Sequence, residues 1–152
     1  MKKEKIGYFI LIATAVLSIA ALFLIAPIEQ DTVYHHFCDS KTMFTIPNFW
    51  NVVSNLPFLI VGFIGLLKVS KFPKPKIQYI LFFTGISLVS FGSGYYHWNP
   101  NNETLVWDRL PMTIAFMSLF SIIISEFIDK KKGFKILIPA LLIGLFSVIY
   151  WQ

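Results

Sequence analysis

Three side chains that could do chemistry together lie close in the middle of the chain: a serine, a histidine and an aspartate. Ser93 and His97 are four residues apart, so on a helix they share one face and lie one turn from each other. Asp108 follows eleven residues later, at the start of the next predicted helix, which would return it to the depth of His97. The pattern predicts that a hydroxyl, an imidazole and a carboxylate converge near one end of a helical bundle.

Two kinds of chemistry fit this set. In a catalytic triad, Ser93 would be a nucleophile that His97 activates and Asp108 orients. In a metal site, His97 would be a ligand, and Asp108 would be a base or a partner of a bound water. The spacing does not separate these two hypotheses. A structural interpretation also stays open, in which His97 and Asp108 cap two helices or Asp108 pairs with Arg109.

A second group of polar residues lies closer to the N-terminus. Four polar side chains fall on two turns of one predicted helix: Asn48, Asn51, Ser54 and Asn55. They would either form hydrogen bonds between helices or line the site. His35 and His36 are predicted to be solvated loop residues rather than ligands. Cys38, the single cysteine, excludes an internal disulfide and is predicted to be inert.

The elements that must position these residues are long apolar segments. Of the 152 residues, 56% are hydrophobic and 14% are charged, whereas a soluble domain has about 25% charged residues. A helix needs roughly 20 apolar residues to cross a bilayer. Five segments qualify: 6–28, 49–67, 77–96, 110–128 and 134–151. The sequence therefore predicts an all-α, polytopic transmembrane bundle, with residues 1–152 as a single domain. The first segment is longer than the apolar core of a signal peptide, so it is predicted to be a retained helix.

The basic residues are distributed unequally between the two ends of this bundle. One end carries eleven lysines, in three connections: Lys2, Lys3, Lys5, Lys68, Lys71, Lys74, Lys76, Lys130, Lys131, Lys132 and Lys135. The other end carries Lys41 and Arg109. By the positive-inside rule the N-terminus is cytoplasmic and the candidate site faces outward. The net charge of +5 is thus a topology signal that indicates contact with membrane lipid and no nucleic-acid partner.

Two stretches of the chain resemble the alkaline ceramidases. These enzymes belong to a superfamily of seven-helix membrane hydrolases that includes the adiponectin and progestin receptors. The segment IPNFWNVVSN at 46–55 is similar to the family's first motif, an acid followed by FWN and then SN. The segments GSGYYH at 92–97 and WDRLPM at 107–112 are similar to its second motif. The sequences of these segments are most similar to those of bacterial members.

The resemblance implies a zinc-dependent amidase that cleaves ceramide-like lipids into a fatty acid and a sphingoid base. His97 would be a zinc ligand, Ser93 would support the metal site, and Asp108 would handle protons for a zinc-bound water that attacks the amide. The family also has a calcium site near its first motif. Asp39 matches one of its acids, but Asn48 stands where the family has glutamate, so calcium binding stays open.

The family's third motif, an HxxxH pair on its last helix that supplies two more zinc ligands, has no counterpart in this sequence. The remaining histidines are His35 and His36. We therefore expect one zinc ligand of three, no activity from this chain alone, and a parent protein of seven or eight helices of which this is the N-terminal part. Two alternatives stay open: a hydrolase of another lipid amide or ester, and a non-catalytic receptor or lipid-binding protein on the same fold.

Overall fold

The fold is a set of sequential helices, and the last four form three packed pairs of neighbours in the chain. The computed structural model describes residues 2–24 and 30–151. Its α-helices are α1 (Lys2–Leu24), α2 (Phe49–Val53), α3 (Leu56–Leu67), α4 (Ile77–Trp98), α5 (Asn102–Phe127) and α6 (Lys130–Trp151). In the described residues the only extended pairing is an isolated bridge between Met43 and Ile46. The predicted all-α fold is therefore confirmed.

Four of the predicted spans are helical segments long and apolar enough to cross a membrane. They are Phe49–Leu67, Ile77–Trp98, Asn102–Phe127 and Lys130–Trp151. The predicted first span, 6–28, corresponds to α1, but its described apolar stretch, Ile12–Ala21, is shorter. The end of that predicted span lies in residues 25–29, outside the described residues.

The distribution of side chains is that of a protein dissolved in lipid. Large apolar side chains cover the outside, such as Phe91, Phe116 and Ile143, which are 63%, 56% and 68% exposed. Small polar side chains fill the interior, and Ser118 and Ser121 are completely buried. A helix interface in a membrane favours small residues because lipid supplies no hydrophobic drive to bury large ones. The protein is thus an integral membrane protein.

A proline interrupts the second predicted span, 49–67. The chain forms a turn at Ser54 and Asn55 between α2 and α3. Pro57 lies in the first turn of α3, where it has no N–H to donate and its ring would collide with the carbonyl of Val53. One straight helix cannot form across this position, so the first motif occupies a bent segment.

The helix that carries Asp108 begins earlier than its hydrophobicity indicates. The apolar run starts at 110, but α5 starts at Asn102. The side chain of Asn101 accepts a hydrogen bond from the Thr104 N–H at 2.9 Å, and the Thr104 hydroxyl accepts one from the Asn101 N–H at 3.2 Å. This capping box satisfies free backbone donors at the helix start. The prediction that Asp108 begins the helix is therefore wrong, because capping sets the start and Asp108 lies inside α5.

Glycines allow α4 and α5 to approach each other closely. A methyl group at Gly85 would lie 2.6 Å from the backbone nitrogen of Ala115. Two turns further along α4, a methyl group at Gly92 would overlap the carbonyl oxygen of Trp107 and lie 2.8 Å from its carbonyl carbon. Pro111, inside α5, has no N–H for that carbonyl four residues earlier. The backbones therefore meet where α5 leaves a carbonyl free.

A buried polar network joins α4, α5 and α6 at the lysine-rich end. The Gln78 amide donates to the hydroxyls of Ser121 and Ser125, the latter at 2.8 Å. The Ser121 hydroxyl in turn donates to the carbonyl of Gly133 at 2.8 Å. Since a polar group in hydrocarbon needs a partner, these hydrogen bonds fix the rotation of the three helices about their axes.

We expect Gly92→Ala to destabilise the protein by about 1–3 kcal/mol, the usual result of overpacking, because the new methyl group meets backbone. Gly94→Ala is the matched control, since nothing lies within 4 Å of a methyl group there. Thermal unfolding in detergent or nanodiscs measures both. Equal melting temperatures for the two variants would contradict the close approach of α4 and α5.

Candidate functional site

An apolar cavity between α3, α4 and α5 contains two of the three predicted chemical groups. Its volume is about 530 Å³. Its polar lining consists of Ser93, which is buried, and Asp108, which is half-buried. The apolar lining includes Phe58 from α3, Phe82 and Val89 from α4, and Met112 and Leu119 from α5. The close approach of α4 and α5 thus places Ser93 and Asp108 at one cavity.

The cavity is elongated along the helices, and its polar groups lie at one end. Phe82 precedes Ser93 by eleven residues, which is about 16 Å along an α-helix. Leu119 lies the same number of residues beyond Asp108 on the antiparallel α5. This shape suits an amphipathic ligand with its polar part near the helix ends and its hydrocarbon part deeper in the bundle.

His97 lies one turn beyond Ser93, near the end of α4. Its Nδ1 atom is buried and has no hydrogen-bond partner among the described residues. The Asp108 carboxylate is close enough to interact electrostatically with the imidazole. The Phe37 ring packs against it with a centroid distance of 4.7 Å. Because buried polar atoms are normally hydrogen-bonded, this nitrogen is left able to bind a partner that the described residues do not supply.

The free nitrogen bears on the two chemical hypotheses. A catalytic triad needs a carboxylate hydrogen-bonded to the histidine, and Nδ1 of His97 has no such partner among the described residues. A metal ligand needs an unprotonated, unpaired nitrogen, which Nδ1 can supply. A catalytic zinc has about three protein ligands, and the described residues contain no group of three His, Cys, Asp or Glu side chains that could hold a metal. His97 therefore fits as one ligand of an incomplete set.

Asp39 and Asn48 form hydrogen bonds that hold the first motif in place. The Asp39 carboxylate accepts hydrogen bonds from the backbone N–H groups of Trp50 at 2.9 Å and Asn51 at 3.3 Å. The Asn48 amide donates to the backbone carbonyl of His97 at 2.8 Å, and its φ of 47° is one that asparagine tolerates. Both side chains thus have structural roles, and calcium binding there stays a prediction.

The comparison of the sequence with protein families places this geometry in context. The family model described as Ceramidase matches residues 29–152. The chain belongs to the ceramidase family. No curated protein and no solved structure matches it. The family match covers both motifs that carry the resemblance, and it makes the protein a member of a family of hydrolases that act on amide bonds.

The other polar residues of the first motif in this ceramidase-family chain form local hydrogen bonds. The Ser54 hydroxyl donates to the carbonyl of Asn51 at 2.9 Å, and Ser54 is exposed. The Asn55 amide donates to the same carbonyl at 2.8 Å, and Asn55 is buried. These bonds close the turn before α3. They do not bring the three side chains to the cavity that Ser93 and Asp108 line.

Arg109 points away from its neighbour Asp108. Its guanidinium donates to the Gln30 side chain at 2.9 Å and lies 4.0 Å from the centre of the Trp151 ring. Adjacent residues on a helix do not face each other, so Arg109 ties α5 to α6 and to the N-terminal connection. Asp108 is left directed towards the cavity.

His35 is a residue whose place the sequence did not reveal. Its ring nitrogens bond the Tyr96 hydroxyl at 2.9 Å and the Asn102 side-chain oxygen at 2.8 Å. Since an amide oxygen can only accept, Nε2 donates to Asn102 and Nδ1 accepts from Tyr96. The prediction of a solvated loop residue is wrong for His35, whereas His36 is exposed. No local signal could have shown this, because the partners lie 61 and 67 residues away.

We expect His35→Ala to release the connection before α2, with a loss of about 1–3 kcal/mol for two hydrogen bonds. Trypsin should then cleave faster after the exposed Lys41. His36→Ala is the control, because its side chain is exposed. Cleavage of His35→Ala at the wild-type rate would show that these hydrogen bonds do not hold the loop.

Proposed function

We propose that this protein hydrolyses the amide bond of a ceramide-like lipid, releasing a fatty acid and a sphingoid base, with zinc as its cofactor. One observation carries the proposal. Ser93 and Asp108 are the polar groups at the end of an apolar cavity, next to a histidine whose Nδ1 is buried without a partner. The family match supports an amide substrate.

The cavity supports a lipid as the substrate. Its apolar length of about 16 Å between Phe82 and Ser93 can hold part of an acyl chain, while the amide group lies at the polar end. Ser93 and Asp108 are the groups that can meet the amide there. A polar substrate without a hydrocarbon chain would leave this apolar surface unfilled, so the lining favours a lipid over a soluble amide.

The side chains of the site divide the work of hydrolysis. Asp108 accepts a proton from water as it adds to the carbonyl carbon, and then delivers a proton to the nitrogen as the C–N bond breaks. Ser93 donates a hydrogen bond to the substrate amide at the polar end of the cavity. His97 would hold zinc, which when bound supplies Lewis-acid polarisation of the carbonyl. Addition of water across the amide bond thus gives a carboxylic acid and an amine.

The ligand count limits what this chain does alone. With His97 one helical turn beyond the cavity residue Ser93 and no group of three ligand side chains among the described residues, we expect weak zinc binding and no turnover from the 152-residue chain. A catalytic zinc site would need two further ligands besides His97. Zinc-dependent amidase activity of the chain by itself would contradict this part of the proposal.

The distribution of lysines supports an orientation in the membrane. The connection before α4 contains four lysines and the first two turns of α6 contain four more, at the end of the bundle opposite His97. By the positive-inside rule this end is cytoplasmic. The site then faces outward, and the resemblance to bacterial members favours the bacterial cytoplasmic membrane as the location.

In the complete gene product, we expect Asp108→Asn to lower kcat by roughly 100- to 10,000-fold, the range for a lost acid–base group. Bound zinc should stay near the wild-type level, because Asp108 is proposed as a proton carrier rather than a ligand. Glu103→Gln is the control, since this exposed acid lies on the same helix. Release of fatty acid from a fluorescent ceramide measures the rate, and full activity of Asp108→Asn would refute the mechanism at this residue.

His97→Ala should lower both zinc content and turnover of the complete gene product. Metal analysis of the purified protein, together with the same ceramide assay, distinguishes the His97→Ala variant from the Asp108→Asn variant. His36→Ala should retain both properties, because this histidine is exposed. If His97→Ala kept its zinc, the proposed ligand would be wrong.

The second candidate function is a lipid-binding protein without catalysis. The observation that favours it is the incomplete set of ligands among the described residues. Its signature in the same assay is saturable ceramide binding by the complete gene product with no fatty acid released. Zinc-dependent release of product excludes it.

A further inference from the structure

A second pocket lies at the opposite end of the bundle from His97. It forms where the connection before α4 meets the first turns of α6, and its volume is about 500 Å³. It is lined by Lys74, Pro75, Lys76, Lys130, Lys131 and Phe134. Since α4 has 22 residues, the start of α4 beside this pocket lies about 30 Å along the helix from His97, and the pocket shares no lining residue with the catalytic cavity. The pocket is therefore distinct from the proposed catalytic cavity.

Four lysines line this pocket, and two of them, Lys74 and Lys130, also line an adjoining cavity with Glu126. The Tyr79 hydroxyl donates to Glu126, which lines an adjoining cavity. The Asp129 carboxylate accepts a hydrogen bond from the Lys132 N–H at 2.7 Å. The apolar stems of the lysines form most of the pocket wall, and the four lysines outnumber the two neighbouring acids, Glu126 and Asp129, so this end of the bundle carries a net positive charge. A cavity of this charge favours an anion with several acceptor oxygens, such as a phosphate group.

The start of α4, which has no side-chain cap, adds to the positive potential, whereas the Asp129 carboxylate caps the start of α6. α4 begins at Ile77 and α6 begins at Lys130, both beside the pocket. The N-terminal end of a helix carries a partial positive charge and free N–H groups. The Lys76 ammonium donates to the Ser70 carbonyl at 3.0 Å. The backbone and the side chains therefore favour an anion together.

An apolar track leads from the pocket along α6 into the membrane. Phe134, Ile138 and Leu142 are 47%, 59% and 50% exposed, and they follow one another at four-residue steps on one helix face. Phe134 also lines the pocket. A ligand with a phosphate group and a hydrocarbon chain can thus occupy the pocket and the track at once.

We propose that this lysine pocket binds the headgroup of an anionic phospholipid, with the phosphodiester between the lysines and an acyl chain along Phe134, Ile138 and Leu142. The bound lipid joins the connection before α4 to the start of α6, and so stabilises the end of the bundle remote from the catalytic cavity. A ceramide carries no phosphate, so this site is separate from the proposed substrate site. The proposal holds whether or not the protein is a hydrolase.

The test compares two pairs of lysine substitutions of equal charge. Lys74→Gln with Lys130→Gln removes two pocket cations, and Lys68→Gln with Lys135→Gln removes two exposed lysines outside the pocket. The protein is placed in nanodiscs of phosphatidylcholine with increasing fractions of phosphatidylglycerol. Thermal unfolding and mass spectrometry of retained phosphatidylglycerol are measured, and inorganic phosphate is added to pure phosphatidylcholine discs as a separate arm.

We expect phosphatidylglycerol to raise the melting temperature of the wild type and of the control pair. The pocket pair should bind it roughly 30-fold more weakly, from about fivefold per lysine at a membrane surface. Equal losses in both pairs would mean diffuse surface charge and would overturn the proposal. Stabilisation by inorganic phosphate alone would also overturn it, since the site would then recognise a free anion.

A measurement on the wild-type protein does not depend on the folding of any variant. Photoactivatable phosphatidylglycerol with its reactive group in the acyl chain should label α6 between Phe134 and Leu142. The labelling should fall as the salt concentration rises, because salt screens the lysine–phosphate attraction. Labelling spread evenly over the lipid-facing helices would contradict a defined site.

Discussion

The close contact between α4 and α5 is the constraint on which the rest of the structure depends. Gly85 and Gly92 have no side chain where the α5 backbone passes, so the two helices can lie against each other over two turns. This contact decides which residues of α5 face α4. It places Asp108 at the cavity that Ser93 lines and within electrostatic reach of His97. A bulkier residue at Gly92 would separate the helices where the chemistry requires them together.

The lipid solvent explains why polar chemistry collects at the two ends of the bundle. Hydrocarbon offers no hydrogen-bond partner to a polar group, so Ser87, in the middle of α4, donates within its own helix to the carbonyl of Phe83. At the ends, water and lipid headgroups are within reach. One end combines His97 and Asp108 with an apolar cavity, and the other combines lysines with an apolar track. Each end can therefore bind an amphipathic molecule.

The connection before α2 is part of the site because distant hydrogen bonds hold it there. Asn48 bonds the backbone of His97, and His35 bonds Tyr96 and Asn102. The loop thus touches the end of α4 and the start of α5 at the level of the candidate site. Asp39 holds the loop against α2 by accepting hydrogen bonds from the backbone N–H groups of Trp50 and Asn51. The first motif therefore supports the second motif, because its Asn48 side chain holds the backbone of His97.

The sequence alone determined the features that depend on neighbouring residues. Composition and apolar length predicted the membrane bundle, the lysines predicted two unlike ends, and the spacing of Ser93 and His97 predicted one shared helix face. Only the tertiary structure decided that Asp108 shares a cavity with Ser93, that His35 is anchored, and that four lysines form one pocket. These features depend on which helix faces meet and how closely, and contacts between residues far apart in the chain set both.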